Sequence, residues 1–184
     1  MDKLEQIRRG PAAVLPKDAG FIITTSGINK NSVVLDAGTG SGFLAIYLSN
    51  VAKKVITYER RKEFYDIAKE NFKFLKIKNI TLKYKDIYKG IDESNLDLIT
   101  LDLAEPWKVL PYAKKKLKKE AFIVSYLPTI TQVMDYVKAL EKHKFTDIKT
   151  VELLEREWIV ADVVRPKSQM IAHTVFLIFA RNQD

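Results

Sequence analysis

Short apolar runs alternate with amphipathic segments along the chain from residue 33 onward. Runs such as Val33–Ala37 and Ile80–Tyr84 have the length and composition of buried strands. Between them, Arg60–Leu75 places apolar residues at helical spacing and predicts an amphipathic helix. Regular alternation of strand and helix predicts an α/β fold built on a doubly wound, mostly parallel sheet of about seven strands.

The remaining predicted elements continue this alternation to the end of the chain. Further strands are expected at Lys54–Tyr58, Leu96–Leu103, Ala121–Tyr126, 145–154 and 174–180, and further helices at Gly42–Val51, Trp107–Lys118 and Thr129–Lys142. The last two strands are separated by a polar loop at Arg165–Gln169 and by no helix. They are therefore expected to pair antiparallel at one edge of the sheet.

The segment ahead of the first strand is less regular. Gly10–Asp18 is expected to be extended and broken by turns, with Asp18 capping a short helix through Ile23. No repeat, low-complexity tract or linker divides the chain. We therefore predict a single domain over residues 1–184.

Composition excludes several kinds of chemistry. The chain carries 31 basic and 23 acidic residues, two histidines and no cysteine. Without cysteine there are no disulfides, thiol nucleophiles or thiolate ligands, and we expect no metal site. No apolar run reaches the roughly 20 residues of a membrane span, so we expect no membrane association and a cytoplasmic location. The net charge of +8 leaves nucleic-acid binding open, because lysine-rich surfaces also serve solubility.

Three of the seven glycines are clustered directly after the first predicted strand, at Gly38, Gly40 and Gly42. Glycine allows a tight turn and lets a ligand approach the backbone closely. An ordinary strand-to-helix turn would also use glycine, so the cluster alone is weak. A dinucleotide fingerprint would place its third glycine at position 43, where this chain has Phe43.

Acidic residues follow or end the first three strands and narrow the choice of ligand. Asp36 precedes the glycine turn, and its charge suits an ammonium and a sulfonium better than a pyrophosphate. Glu59 can accept hydrogen bonds from both hydroxyls of a ribose, and Asp86 is placed to reach an adenine amino group. The combination resembles the S-adenosylmethionine site of class I methyltransferases.

Asp102, at the end of the fourth strand, is expected to lie opposite the transferred methyl group, where an acceptor is held. A carboxylate there can accept a hydrogen bond from an exocyclic amine and stabilise positive charge on it. The alternative is a helix cap or a solvated loop acid. In open α/β sheets the ends of the strands form the ligand site, which favours the functional interpretation.

Longer motifs in the same order resemble those of the tRNA (adenine-N1) methyltransferases over nearly the whole chain. They are Gly10-Pro11 with Leu15-Pro16-Lys17-Asp18-Ala19-Gly20, the glycine turn, Lys85-Asp86-Ile87-Tyr88, Leu101-Asp102-Leu103-Ala104-Glu105-Pro106-Trp107, Pro128 with Gln132, and Arg165-Pro166 leading to His173-Thr174. The glycine turn belongs to class I enzymes in general. The segments around Asp18, Asp102 and His173 are more specific.

The resemblance implies transfer of a methyl group from S-adenosylmethionine to N1 of a T-loop adenine, at tRNA position 58 or 57, after the base has left its stack. It implies that Asp102 holds the adenine amino group, and that the enzyme is a homotetramer that binds tRNA. The cofactor-binding positions it indicates are Gly38, Gly40, Ser41, Gly42, Phe43, Glu59, Asp86 and Ile87.

Candidate acceptor contacts flank the motifs expected near the substrate: Arg9, Lys17, Tyr126, Arg165 and His173. His173 as a lone histidine is as readily structural as functional, and Tyr126 is either core or pocket wall. The densest basic run, Lys114–Lys119, is interpreted as a solvated helix end as readily as a phosphate contact.

Some features depart from the family pattern. Ala104 replaces a common proline, and Phe64 stands where some relatives have an arginine near the cofactor. Relatives commonly carry a small domain ahead of the Gly-Pro segment, which here is preceded by nine residues, so tRNA binding would rely on this chain's own surface or on a partner. Alternative functions are a corrin-ring methyltransferase, a protein isoaspartate methyltransferase or a non-catalytic tRNA-binding subunit. The last should have lost the glycine turn and the strand-four acid, which this chain retains.

Overall fold

The structure is a computed structural model that describes residues 3–10 and 13–183. Pro11 and Ala12, which belong to the segment expected to be extended, lie outside the described residues. Within the described ranges the strands are β1 Val33–Ala37, β2 Lys54–Glu59, β3 Ile80–Tyr84, β4 Leu96–Leu101, β5 Leu117–Leu127, β6 Phe145–Glu152, β7 Trp158–Val160, β8 Val164–Pro166 and β9 Phe176–Asn182. The α-helices are α1 Pro16–Ser26, α2 Phe43–Ser49, α3 Lys62–Phe74, α4 Leu110–Ala113 and α5 Ile130–Lys142, and short 3-10 helices cover Lys3–Glu5, Ile87–Lys89 and Pro106–Val109.

Seven strands form one sheet in the order β3-β2-β1-β4-β5-β9-β6. The first five run parallel, and β9 pairs antiparallel with both β5 and β6. The predicted fold class and the antiparallel pairing of the last two strands are confirmed. The chain order reverses between β1 and β4, and this is the point where open α/β sheets bind ligands beyond the carboxyl ends of their strands.

Helices cover both faces of the sheet because successive residues of each buried strand point in opposite directions. Val34 packs with α1, α2 and α3 in one apolar cluster, whereas the adjacent Leu35 packs with α4 and α5 in the other. Burial on both faces explains why the strands are continuous apolar runs in the sequence. The sheet is thus a rigid platform for the residues at its carboxyl edge.

The predicted helix Trp107–Lys118 is wrong over its second half. The chain forms a 3-10 turn, then the short α4, then a turn at 114–116, and β5 begins at Leu117 rather than Ala121. Leu117 is buried and pairs with Leu96, and the ladder then shifts register around Glu120, whose φ is +63°. Repulsion among closely spaced lysines disfavours the helix, while burial of Leu117 stabilises the strand.

Other boundaries also differ from the prediction. Helix α1 begins at Pro16, so Asp18 lies inside its first turn and is not its cap. Strand β4 ends at Leu101 rather than Leu103, and β6 and β9 cover 145–152 and 176–182. The segment between β6 and β9 contains a small antiparallel hairpin of β7 and β8, and β8 includes the first two residues of the loop predicted at Arg165–Gln169. None of the helices in the described ranges is both long and apolar enough to span a membrane.

Candidate functional site

The glycine turn joins β1 to α2 in a conformation that only glycine adopts easily. Gly38 has a φ of +85°, and a Cβ added to it would lie 2.1 Å from the backbone oxygen of Asp102. Gly42 has a φ of +90°, and its added Cβ would lie 2.5 Å from the Phe72 ring. The turn therefore packs directly against the end of β4 on one side and α3 on the other.

Asp36 lies beneath this turn, buried and hydrogen-bonded within the sheet. Its carboxylate accepts hydrogen bonds from the hydroxyls of Thr57 at 2.6 Å and Thr100 at 2.8 Å, one from each neighbouring strand. Burial raises the pKa of Asp36 to about 6, although the two hydroxyls oppose the shift. The acid is thus a fixed negative centre below the site.

Glu59, at the end of β2, holds the glycine turn. Its buried carboxylate accepts a hydrogen bond at Oε2 from the Gly40 backbone N–H at 2.9 Å, and at Oε1 from the Arg61 backbone N–H at 2.9 Å. A carboxylate oxygen accepts more than one hydrogen bond. Oε2 therefore keeps an acceptor position for a ligand hydroxyl.

Asp86 ends the loop after β3 and caps the following 3-10 helix. Its Oδ1 accepts from the Tyr88 backbone N–H at 3.0 Å, which leaves Oδ2 toward the Arg60 guanidinium, 4.0 Å away. Ile87 is buried beside it. Glu59, Asp86, Ile87 and Gly38 line a cavity of about 180 Å³ together with Asp102.

Asp102 stands where three cavities meet. It lines the 180 Å³ cavity, a smaller one of about 20 Å³ against Gly40, Ser41 and Phe43, and a third of about 330 Å³ against Tyr126. Its backbone N–H bonds to the Ala37 carbonyl at 2.9 Å, which fixes the chain at the switch point of the sheet. Among the described residues, nothing donates a hydrogen bond to its carboxylate.

The surroundings of Asp102 favour its protonated form. Asp102 is exposed at the mouth of the cleft, but the surrounding protein atoms partly desolvate its carboxyl group, and Asp36 and Glu59 add negative charge, so the pKa of Asp102 is raised to about 7. Arg61 opposes this shift. A carboxyl group with an unmet acceptor and a pKa near neutrality, at the junction of cavities, is typical of a functional site.

The 330 Å³ cavity is a second, mainly apolar space on the far side of Asp102. Tyr126, on β5, is 3% exposed, and its hydroxyl has no hydrogen-bond partner among the described residues. Burial and the nearby acids raise the pKa of Tyr126 well above its ordinary value. The hydroxyl therefore stays protonated and is available as a donor. Other lining residues are Val14, Leu15, Asp18, Pro128, Ile171, Thr174 and Val175.

Lys17 is tied into the wall behind this cavity. Its ammonium donates to Asp18 Oδ1 at 2.8 Å, to the Leu153 carbonyl at 2.9 Å and to Thr174 Oγ1 at 2.9 Å. All three of its donors are thus occupied. The predicted substrate contact stays a prediction, and it requires at least one of these bonds to open.

His173 bridges three segments of the same wall. Its Nδ1 lies 2.5 Å from Glu152 Oε1, and its Nε2 lies 2.9 Å from the Pro128 carbonyl oxygen. The carboxylate and the carbonyl both raise the pKa of His173, because two acceptors favour the imidazolium. The ring therefore positions Pro128, which lines the 330 Å³ cavity.

The remaining predicted contacts do not converge on Asp102. The Arg9 guanidinium lies 5.2 Å from the Phe43 ring centre, beside the glycine turn. Arg165 lines an open groove of about 880 Å³ with Lys17 and Lys167, next to the β7–β8 hairpin. In the basic run, Lys118 pairs with Asp97 at 2.6 Å. Trp107 packs against the core.

Asn71 is a structural link that the sequence did not reveal. From α3, its Nδ2 donates to the carbonyls of Arg8 at 2.9 Å and Ser41 at 2.8 Å, and its Oδ1 accepts from the Arg8 backbone N–H at 3.1 Å. The N-terminal segment is thereby fastened over the glycine turn. A polar residue at a buried position of an amphipathic helix was the available signal.

Strand order, glycine turn and strand-end acids together define a Rossmann-like class I methyltransferase domain. Residues 12–164 match the family described as tRNA methyltransferase complex GCD14 subunit. This match covers most of the chain, and the chain belongs to that family.

Individual relatives agree with the family match. A tRNA (adenine(57)-N(1)/adenine(58)-N(1))-methyltransferase TrmI from Methanocaldococcus jannaschii is 39% identical over 98% of this chain and 75% of its own length. The crystal structure of tRNA (m1A58) methyltransferase TrmI from Aquifex aeolicus superposes with a TM-score of 0.92 at 33% identity, covering 99% of this chain and 74% of that one. A SAM-dependent O-methyltransferase from Thermotoga maritima superposes with a TM-score of 0.94 at 31% identity, covering 100% and 71%.

Proposed function

We propose that this chain transfers a methyl group from S-adenosylmethionine to N1 of adenine in the T-loop of tRNA. The observation that carries the proposal is Asp102, which joins the acid-lined cavity to the Tyr126 cavity. The names of the relatives supply the acceptor, position 58 or 57. The corrin-ring and isoaspartate alternatives, and the non-catalytic subunit, are not favoured, because family membership and the retained acids agree on an active tRNA enzyme.

The residues of the 180 Å³ cavity suit S-adenosylmethionine. Glu59 Oε2 has an acceptor position for a ribose hydroxyl, and Asp86 Oδ2 for an adenine amino group. Gly38, Gly40, Ser41, Gly42 and Phe43, which form the turn, would hold the methionine end, and Ile87 would lie against the base. When bound, the cofactor supplies an electrophilic methyl group on a sulfonium that carries positive charge.

On the acceptor side, the chain has to orient an adenine and stabilise its developing charge. N1 of adenine carries an in-plane lone pair, so no base is needed to activate it. Asp102, when ionised, accepts a hydrogen bond from the exocyclic amine, which becomes positively charged during transfer. Tyr126 lines the 330 Å³ cavity with Asp102, and its buried hydroxyl is a donor without a partner among the described residues. The adenine has to leave its stack to enter.

Contacts to the rest of the tRNA are assigned to cations around the opening. Arg9, Arg165 and Lys167 are exposed, and the net charge of +8 favours binding of phosphates. Lys17 and His173 are assigned to the cavity wall, with substrate contact only if their present bonds open. We expect one catalytic domain over residues 1–184 and a cytoplasmic location.

The family resemblance leads us to expect a homotetramer, and exposed apolar side chains of this chain could form a contact between its copies. The β7–β8 hairpin and its flanks expose large apolar side chains: Leu154, Trp158, Val160, Val163, Val164, Met170 and Ile171. Several large apolar side chains exposed within one segment of the chain favour a protein–protein contact there. Light scattering of purified protein gives the oligomeric state directly.

The decisive experiment supplies labelled S-adenosylmethionine and unmodified tRNA transcript, followed by digestion and identification of the modified nucleoside. The proposal expects 1-methyladenosine from the T-loop. A methyl group on a ribose or another oxygen would instead favour the O-methyltransferase named for the Thermotoga structure. Absence of transfer to any tRNA would overturn the proposal.

A further inference from the structure

Two arginines follow β2 at the edge of the acid-lined cavity, and their side chains are equally exposed. Arg60 is 58% and Arg61 59% exposed. Both line the 180 Å³ cavity, yet their surroundings differ. Arg60 lies 4.0 Å from Asp86 and over the Tyr88 ring at 5.5 Å. Arg61 contacts a different acid and a different ring.

Arg61 is held at three points. Its backbone N–H and its Nε both donate to Glu59 Oε1, at 2.9 Å and 3.4 Å. Its guanidinium lies over the Phe64 ring at 4.0 Å from the ring centre, a close cation–π contact. The Phe64 ring itself lies against Gly10, since a Cβ added to Gly10 would be 3.5 Å from Phe64 Cε1. The arginine is therefore anchored despite its exposure.

The positively charged Arg61 side chain lines the same 180 Å³ cavity as the Asp102 carboxyl group. The cleft concentrates acids around the Asp102 carboxylate, and Arg61 is the cation that opposes their effect on its pKa. The titratable and charged groups that line these cavities with Asp102 are Asp18 from α1, Asp36 from β1, Tyr58 and Glu59 at the end of β2, Arg60 and Arg61 after it, Lys85, Asp86 and Tyr88 after β3, and Tyr126 from β5. An excess of carboxylates disfavours the ionised form of each.

We propose that Arg61 is a positioning residue for methyl transfer: it holds the Glu59 carboxylate against the glycine turn and places a positive charge in the cavity that Asp102 also lines. This rests on the proposed function, in which ionised Asp102 accepts a hydrogen bond from the acceptor amine. Phe64 serves as the platform on which the guanidinium lies. Arg60 has no such role toward Asp102.

The test compares Arg61→Gln with Arg60→Gln, which removes the same charge from a neighbouring and equally exposed position. Single-turnover methyl transfer to tRNA at saturating S-adenosylmethionine is followed between pH 5.5 and 9. We expect the midpoint of the acid limb to move upward by roughly 0.5 pH unit in Arg61→Gln and to stay in place in Arg60→Gln. The KM for S-adenosylmethionine should rise about threefold to tenfold in Arg61→Gln, because Glu59 loses a donor.

Two further variants separate charge from packing. Arg61→Lys keeps the charge and should restore most of the pH profile, while Phe64→Leu keeps the arginine but removes its platform and should give an intermediate shift. Melting curves confirm that each variant is folded. Added salt should reduce the difference between Arg61→Gln and the wild type.

The outcomes divide cleanly. An acid limb that moves in Arg61→Gln and not in Arg60→Gln supports the inference. Identical profiles in both variants and the wild type overturn it, and so does an equal shift in both, which would reflect net charge alone. If the wild type itself forms no methylated tRNA, the proposed function fails. If the wild type is active and the acid limb of the pH profile is the same in all variants, only the proposed role of Arg61 fails.

Discussion

The two sides of Asp102 are built by different means. On the cofactor side, the key bonds join residues close in the chain, such as Glu59 to Gly40, 19 residues apart, and Asp86 to Tyr88, two apart. On the acceptor side, Lys17 reaches Thr174, 157 residues away, and His173 reaches Pro128, 45 residues away. The cofactor side is thus built from the ends of β1 to β4, including a link of 64 residues from Asp36 to Thr100, while the acceptor side joins segments from the two ends of the chain.

This difference suggests a division of labour. In the proposed function, a cofactor common to many enzymes is held by a turn that any class I sheet can carry. The acceptor cavity is enclosed by segments that vary between enzymes, including the start of α1 and the residues before β9. Loops on a rigid scaffold commonly determine specificity. Changes on the two sides should therefore separate cofactor binding from transfer.

The largest expected effect comes from Asp102→Ala. Methyl transfer should fall roughly 100- to 1000-fold, because charge on the acceptor amine is no longer stabilised. Affinity for S-adenosylmethionine should change by less than about threefold, since Glu59 and Asp86 remain. Single-turnover assays and titration calorimetry measure the two quantities. Equal losses of cofactor binding and transfer would show that Asp102 contributes to cofactor binding, and would contradict the proposed separation of the two sides.

Gly38→Ala should damage the cofactor side itself. The added Cβ would meet the Asp102 backbone oxygen at 2.1 Å, so either the turn or β4 has to move. We expect a loss of roughly 2 to 4 kcal/mol in the free energy of unfolding and a large loss of cofactor affinity. Gly27→Ala is the matched control, because Gly27 has a φ of +67° but no atom within 4 Å of an added Cβ. Similar losses in both variants would mean that backbone strain, rather than contact with β4, explains the effect.

Tyr126→Phe tests the acceptor side without disturbing the fold. The hydroxyl is buried and unpaired, so its removal should leave the stability unchanged or slightly higher. Transfer should nevertheless fall about fivefold to tenfold, with unchanged cofactor affinity, because the cavity loses its donor. The matched variant is Tyr136→Phe, because Tyr136 is also buried but belongs to the core cluster and lines none of the three cavities around Asp102. Full activity of Tyr126→Phe would make Tyr126 a packing residue.

The smallest effect concerns His173 and pH. Glu152 and the Pro128 carbonyl raise its pKa in the folded state, so folding binds the proton more tightly. The resulting stabilisation is complete below the unfolded pKa of about 6.5 and is lost as pH rises through the higher folded value. His173→Gln should therefore lower the melting temperature more at pH 5.5 than at pH 8.5. A difference independent of pH would show that the imidazolium contributes nothing.

The same comparison explains what the sequence could predict. The sheet, the glycine turn and the strand-end acids follow from local patterns, and both the fold class and the family are confirmed. The sequence predictions failed where contacts between distant residues decide the structure. Leu117 pairs with Leu96 and joins the sheet, so a strand begins in the lysine run where a helix was predicted. Asp18 pairs with Lys17 and accepts from Thr174 at 3.2 Å, so it does not cap α1. The roles of the predicted site residues stay predictions.

The sequence shows that Lys17 and His173 can carry positive charge, but it does not show which groups accept their hydrogen bonds. Their partners come from β6, from the loop after β5 and from the segment before β9, and only the folded chain brings these together. Arg61 shows the same limit on the cofactor side, because two adjacent arginines look alike in the sequence. Their different neighbours, Glu59 with Phe64 and Asp86 with Tyr88, distinguish them.

The central claim is that Asp102 acts on the acceptor amine at the junction of the two cavities. It is tested most directly by a double-mutant cycle that combines Asp102→Ala with a tRNA whose target adenine is replaced by purine, which lacks the amino group. Purine is intrinsically less nucleophilic at N1 and slows transfer in both proteins, but the account predicts that the slowing is at least about tenfold larger in the wild type than in Asp102→Ala, because only the wild type also loses the bond to Asp102. Equal slowing by purine in both proteins would show that Asp102 and the amine act independently, and would contradict the claim.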